Sequence, residues 1–237
     1  EFSFINSKDI SNTVSLDIGT VRLKELYCDN HDLSHAIEYI DENLKFLDDV
    51  KISTLVGIGG TFRALSSAIM EKNNYPFNKL HAYQYEAKVF KKFISKILEA
   101  DESELLNLGI KENRFDVIKP GALILERVLK KISATDIVTS GVGVREGVYL
   151  CDLLRTSKDK FPHNYNTSVK HILDSYVDDK TYSNQLSLLS KKVFDLTSDY
   201  LNIEKEYRYE LSLAAKLYPS GSNIHFYSKN KHTYYII

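Results

Sequence analysis

Two stretches of this chain follow one plan, a short apolar run that breaks into glycines and then resumes as a helical pattern. The first is "LVGIGGTFRAL" at Leu55–Leu65 and the second is "IVTSGVGVREGVYL" at Ile137–Leu150. A strand that turns over glycines straight into a helix is the building unit of α/β folds. Used twice, it commits the front of the chain to that class. The neighbouring pattern agrees. "EFSFI" and "NTVSLDIGTVRLKEL" alternate apolar and polar residues, which predicts two or three strands with a bend at Gly19. Leu33, Ile37, Ile40, Leu44 and Leu47 mark one helical face behind an N-cap at Asp32. "STLVGIG" reads as a short buried strand. Val89, Phe90, Phe93, Ile94, Ile97 and Leu98 mark another helix, Asp101 and Glu104 have the spacing of a capping box, and "IKPGALILERVLKKI" is read as helical after Pro120.

The character changes after Leu154. "RTSKDKFPHN", with Pro162, reads as a linker, and the chain beyond it is helical throughout. Leu186, Leu189, Val193, Leu196 and Tyr200 form a stripe on one long helix, and "YELSLAAKLY" gives a second that Pro219 and Gly221 stop. An α/β part over 1–155 and an all-α part over 156–237 are the expected domains. The 237 residues suffice for both to bury a core. With 43% hydrophobic and 27% charged residues the composition is that of a globular protein. The net charge of −1 provides no global field for nucleic acid, so an anion site must be local. No apolar run nears the roughly 18 residues of a membrane span. Cys28 and Cys151 have no metal or redox spacing, and a reduced, cytoplasmic setting is expected. The chain also starts within a strand-like alternation without an initiator Met, so it is expected to begin inside a domain.

Neither glycine loop fits a common phosphate motif. Gly57, Gly59 and Gly60 begin a dinucleotide fingerprint, but Phe62 stands where its third glycine belongs, and no Lys follows Gly60 as a Walker loop requires. What remains is a tight turn with Thr61 as N-cap of the next helix. Free N–H groups and the helix dipole there suit a phosphate, while a turn that merely needs positive φ explains the glycines equally well. In the second loop Arg145 could reach an anion with Glu146 holding its guanidinium, or the two could form a surface ion pair of little consequence. Arg114, two residues before Asp116, could orient a helix start or point into a cleft. His31 and His35 lie four apart without the Glu of a zinc helix, and no metal is expected there. Nucleophile signatures for serine or cysteine are lacking.

Taken in order, "GIGGTFRAL", "YPFNKLHAYQY", "NRFDVIKPGALIL" and "TSGVGVREGVY" resemble the Ppx/GppA phosphatases, the exopolyphosphatases and guanosine pentaphosphate phosphohydrolases. The resemblance implies an α/β ribonuclease-H-like lobe of the actin, sugar-kinase and Hsp70 superfamily, followed by an all-α HD-like domain. It implies that Glu1 ends the family's D-x-GGG-S-x-E loop as a catalytic or Mg²⁺-holding carboxylate, and that the family's catalytic Glu lies upstream. Gly59, Gly60, Thr61 and Arg114 then face the phosphates of polyphosphate or guanosine penta- or tetraphosphate, and Arg145, with Glu146, either contacts them or supports the cleft. A homodimer is implied as well, with neither a membrane nor a specific DNA or RNA as partner. In the helical tail, Tyr182, Tyr218, Pro219 and Asn230 stand where HD-type members carry metal ligands, so a working metal centre is not expected there. The activity expected of the complete protein is Mg²⁺-assisted hydrolysis of a terminal phosphoanhydride, the present chain alone being nearly inactive. A non-catalytic guanosine tetraphosphate- or polyphosphate-binding regulator is the alternative. An ATP-dependent kinase of the same superfamily and a structural helical module fit the motifs less well.

Overall fold

The alternation at the start of the chain closes into a hairpin. In the computed structural model, which describes every residue except 7, 8, 31, 49, 159 and 162–164, β1 (Phe2–Asn6) pairs antiparallel with β2 (Asp9–Val14). Phe2 and Phe4 then set their ring edges on Phe46. Of the two or three strands expected, two form among the described residues. Gly19 caps a helical turn, α1 (Thr20–Leu23), which runs on through a wider turn at Lys24–Cys28. That backbone is helical because Leu23 goes into the core, completely buried, which a strand register would not achieve. Asp32 caps α2 (Leu33–Asn43), accepting the N–H of His35 at 3.3 Å. Of the expected face, Ile40, Leu44 and Leu47 are buried while Leu33 is exposed.

The second sheet carries the glycine loops. β3 (Thr54–Gly57) leads into α3 (Gly60–Lys72), and then β4 (Tyr83–Glu86) precedes α4 (Ala87–Glu99), α5 (Glu102–Asn107) and α6 (Phe115–Lys131). β5 (Asp136–Thr139) returns to the sheet and α7 (Val144–Leu153) comes after it. The strand order is β3-β5-β4, with β3 parallel and β4 antiparallel to β5. β3 is an edge strand, and contrary to the sequence reading it is only partly covered, Val56 being 51% exposed. The sheet face of Tyr83, Tyr85, Ile137 and Thr139 packs on helices that contribute Leu65, Phe90, Ile94, Ile118 and Leu129. A chain of buried hydroxyls fastens α3 to this face, as Thr139 donates to Ser66 at 2.8 Å and Ser66 lies 2.7 Å from the Tyr85 hydroxyl. Burial pushes the Tyr85 phenol well above its ordinary range. The expected capping box at Asp101 and Glu104 is present. α6 starts at Phe115 rather than after Pro120, which lies inside it. Pro120 gives up one helical N–H bond, and the burial of Ile118, Gly121, Ala122 and Leu123 around it keeps the helix continuous.

Contacts divide the chain into Glu1–Asp152 and Leu153–Ile237. The second unit holds α8 (Thr167–Tyr176), α9 (Lys180–Thr197), α10 (Tyr207–Leu217) and α11 (Lys229–Ile236), around a small core of Ile172, Leu173, Val177 and Leu217. Here the sequence reading of α9 is reversed. Its apolar stripe is open, Leu196 being 84% exposed, and the buried face is Ser183, Ser187 and Phe194. The small serines allow close approach to α10, and the Ser183 hydroxyl bonds the Lys216 carbonyl. Pro162, part of the expected linker, lies outside the described residues. No helix is long and apolar enough to cross a membrane among the described residues.

Candidate functional site

Each glycine of the first loop has its own reason. A Cβ on Gly57 would fall 2.1 Å from the Phe62 ring, which folds back beneath the turn and packs on Phe90 with ring centres 4.8 Å apart. Gly59 has φ +112° and ψ 172°, a backbone open to glycine, and it takes the capping position of α3. Thr61 is therefore not the N-cap expected from sequence. It is the second residue of the helix, with its side chain against Gly121 of α6, where a Cβ would meet Thr61 Cγ2 at 2.5 Å. Gly59 contributes only its carbonyl, which accepts the Arg63 N–H at 3.0 Å, and no side chain caps α3. The N–H groups of Gly60, Thr61 and Phe62 thus have no acceptor among the described residues. They stand at the positive end of a thirteen-residue helix.

Arg114 lies over this helix start. It closes a short 3-10 turn, Glu112–Arg114, and caps α6. Its Nη1 is 2.8 Å from where a Cβ of Gly60 would sit. A side chain at position 60 would displace the guanidinium, so the glycine makes the close approach possible. Arg114 is half-buried, and among the described residues no carboxylate pairs with it. The Arg114–Asp116 arrangement weighed from sequence is not formed, since Asp116 is exposed in the first turn of α6.

The second loop has the opposite character. Gly141 N–H donates to His81 Nδ1 at 3.1 Å, Val142 N–H to the Ser140 hydroxyl at 3.3 Å, and Gly143 N–H to Glu146 at 2.7 Å. These three donors of the turn are all satisfied within the protein. The Gly143 N–H, foremost, and the positive charges of Arg145 and Arg63 hold the Glu146 carboxyl below its ordinary range. A carboxylate at the start of α7 repels a second anion. Arg145 itself is exposed, and Glu146 is committed to the helix cap rather than to holding its guanidinium. Among the described residues the start of α3 is thus an anion cradle without a carboxylate, whereas the start of α7 carries that of Glu146.

Two residues that the sequence reading passed over bond the second loop at Gly141. Arg63, in the first turn of α3, donates through Nη1 to the Gly141 carbonyl at 3.1 Å, and His81 accepts from the N–H of the same residue. One sign of Arg63 was legible, since a cation in the first turn of a helix opposes the dipole and needs another reason to be there. Glu1 is exposed just before β1, and no hydrogen bond or ion pair among the described residues ties it to α3. Nor does any group of three or more His, Cys, Asp or Glu side chains gather among the described residues. His31 lies outside the described residues, and His35 bonds Asp32 at 2.6 Å.

The sequence model of the Ppx/GppA phosphatase family matches residues 1–156. Among curated proteins, the bifunctional 3-dehydroquinate synthase/phosphatase of Fusobacterium nucleatum is 28% identical over 150 residues, covering 59% of this chain and 22% of that protein. Among solved structures, that of the Aquifex aeolicus PPX-GPPA enzyme is 25% identical with a TM-score of 0.51, over 62% of this chain and 51% of that one. A further crystal structure, of the Aquifex aeolicus member of the Ppx/GppA family, gives the same identity and a TM-score of 0.51 over 69% of this chain and 53% of that one. The chain therefore spans about a fifth of the curated relative and about half of each of these solved chains.

Proposed function

The chain belongs to the Ppx/GppA phosphatase family, and from that premise we propose that the start of α3 and Arg114 together hold the phosphate chain of inorganic polyphosphate or guanosine pentaphosphate. One observation carries the reading. Among the described residues, an arginine without a carboxylate partner is laid against three N–H groups without acceptors. A phosphoanhydride chain supplies the missing acceptors and the missing charge. Its oxygens take the N–H groups of Gly60, Thr61 and Phe62 on one side and the planar guanidinium on the other. Gly59 allows the turn, and Gly60 allows the approach. Arg145 and the second loop support the cleft wall instead of gripping substrate.

The reaction we infer for the complete protein is attack of water on a terminal phosphoanhydride. The part played by these residues is to fix the phosphate chain and neutralise the charge that spreads over its oxygens. The carboxylate that positions the water is read as coming from outside this set, since Asp116 faces solvent and Glu146 is tied to Gly143. The same lack of an acid at α3 favours a second reading, a regulator that binds guanosine tetraphosphate or polyphosphate without cleaving it.

Calorimetric titration with tripolyphosphate and with guanosine pentaphosphate tests the site. Each charge-assisted hydrogen bond is worth about 1.5–3 kcal/mol, so Arg114→Ala is expected to weaken binding roughly 10- to 100-fold. Equal affinities would remove Arg114 from the site. Orthophosphate release separates the two readings: the complete protein turns over if it is a hydrolase, whereas vigorous release by the present chain alone would contradict the outside carboxylate.

A further inference from the structure

We propose that Arg63 and His81 are positioning residues that clamp Gly141 and thereby hold the second glycine loop at a fixed distance from the anion cradle. This inference rests on the reading of the α3 start as a phosphate site.

Gly141 is held on both polar atoms of its peptide units. Arg63 Nη1 donates to its carbonyl at 3.1 Å and His81 Nδ1 accepts its N–H at 3.1 Å. For His81 this requires the neutral ring with its proton on Nε2. The approach is as close as backbone allows, because a Cβ on Gly141 would meet His81 Cβ at 2.8 Å and His81 Cα at 3.2 Å. Independent strain marks the same place. Ala82 has φ +63°, a left-handed backbone costly for alanine, and it is kept there by its N–H bond to the Thr139 carbonyl at 2.8 Å. The chain bends against its preference to bring His81 to Gly141. Arg63 starts from the other side, one residue beyond the last free N–H of α3. It bonds a carbonyl rather than a carboxylate, so it bridges the loops with its positive charge retained beside the cradle. A cradle that is already assembled loses less freedom on binding, and that difference appears as affinity.

The test is amide hydrogen exchange and tripolyphosphate affinity, measured together on the 237-residue chain and its variants. Arg63→Ala and His81→Ala are expected to speed exchange of the Gly141 and Gly143 amides and to weaken binding about tenfold, with the melting transition retained. Arg63→Lys, which keeps a donor and the charge, and His81→Asn, which keeps an acceptor at the same reach, are expected to restore both. Wild-type binding that is unchanged in both alanine variants overturns the clamp and leaves the phosphate site standing. Loss of binding with slow exchange intact also overturns it, because the loop would then be held without them. If the wild-type chain binds no tripolyphosphate, the phosphate reading itself falls, and the clamp's role in binding falls with it.

Discussion

Gly57 and Gly60 stand three residues apart in one loop, yet the consequences of adding a methyl group differ. At Gly57 the methyl meets the Phe62 ring, which is already packed on Phe90. At Gly60 it meets the far end of Arg114, a flexible side chain that can swing away. Gly57→Ala is therefore expected to destabilise the protein by roughly 1–3 kcal/mol, seen as a lower urea midpoint. Gly60→Ala is expected to leave that midpoint nearly unchanged while weakening tripolyphosphate binding, because the guanidinium is pushed off the helix start. Comparable loss of stability in both would show that Arg114 is structural there. At this scale the sequence was legible where identity alone decides geometry. The glycines announced the turn. They did not reveal that Gly59 rather than Thr61 caps α3, because a threonine suits either position and only the packing of its methyl on Gly121 decides. The partner of Arg63 and His81 was illegible for a related reason, since it is a backbone peptide remote in sequence, and only the misplaced charge of Arg63 at a helix start gave a sign.

Among the elements, helices were read better than strands, and faces worst of all. α4 followed its periodicity closely, with Phe90, Phe93, Ile94 and Ile97 all buried. β4 was missed, although "YQYE" alternates buried tyrosines with exposed polar residues, because four residues between two helices give little pattern. α9 shows a deeper limit. Hydropathy identifies two faces on a helix, but the face that packs depends also on how near the neighbouring backbone can come. Ser183 and Ser187 are small enough to admit α10, whereas the leucine stripe is left open. The consequence runs against hydropathy. Ser183→Leu is expected to destabilise the second unit by about 1–3 kcal/mol through overpacking, and Leu196→Ser to change it by less than about 0.5 kcal/mol. Thermal unfolding measured side by side would reveal the reverse order if the leucine stripe were the packed face.

For the whole molecule, the resemblance of four spaced motifs indicated the family before any coordinates, and the match over residues 1–156 agrees with it. What composition could not supply was the local electrostatics. A chain with a net charge of −1 nonetheless keeps Arg114 without a carboxylate partner among the described residues and Arg63 on a carbonyl beside one helix start, while the second glycine loop is filled by its own carboxylate. The candidate cradle and its clamp lie entirely within Glu1–Asp152, so one unit carries every group the binding reading needs. The most direct measurement is an amide-resolved nuclear magnetic resonance titration of the chain with tripolyphosphate. The account predicts the largest shifts at Gly60, Thr61 and Phe62, and their loss in Arg114→Ala. Stationary signals at these three residues, with the response centred on Val142, Gly143 and Arg145 instead, would contradict it.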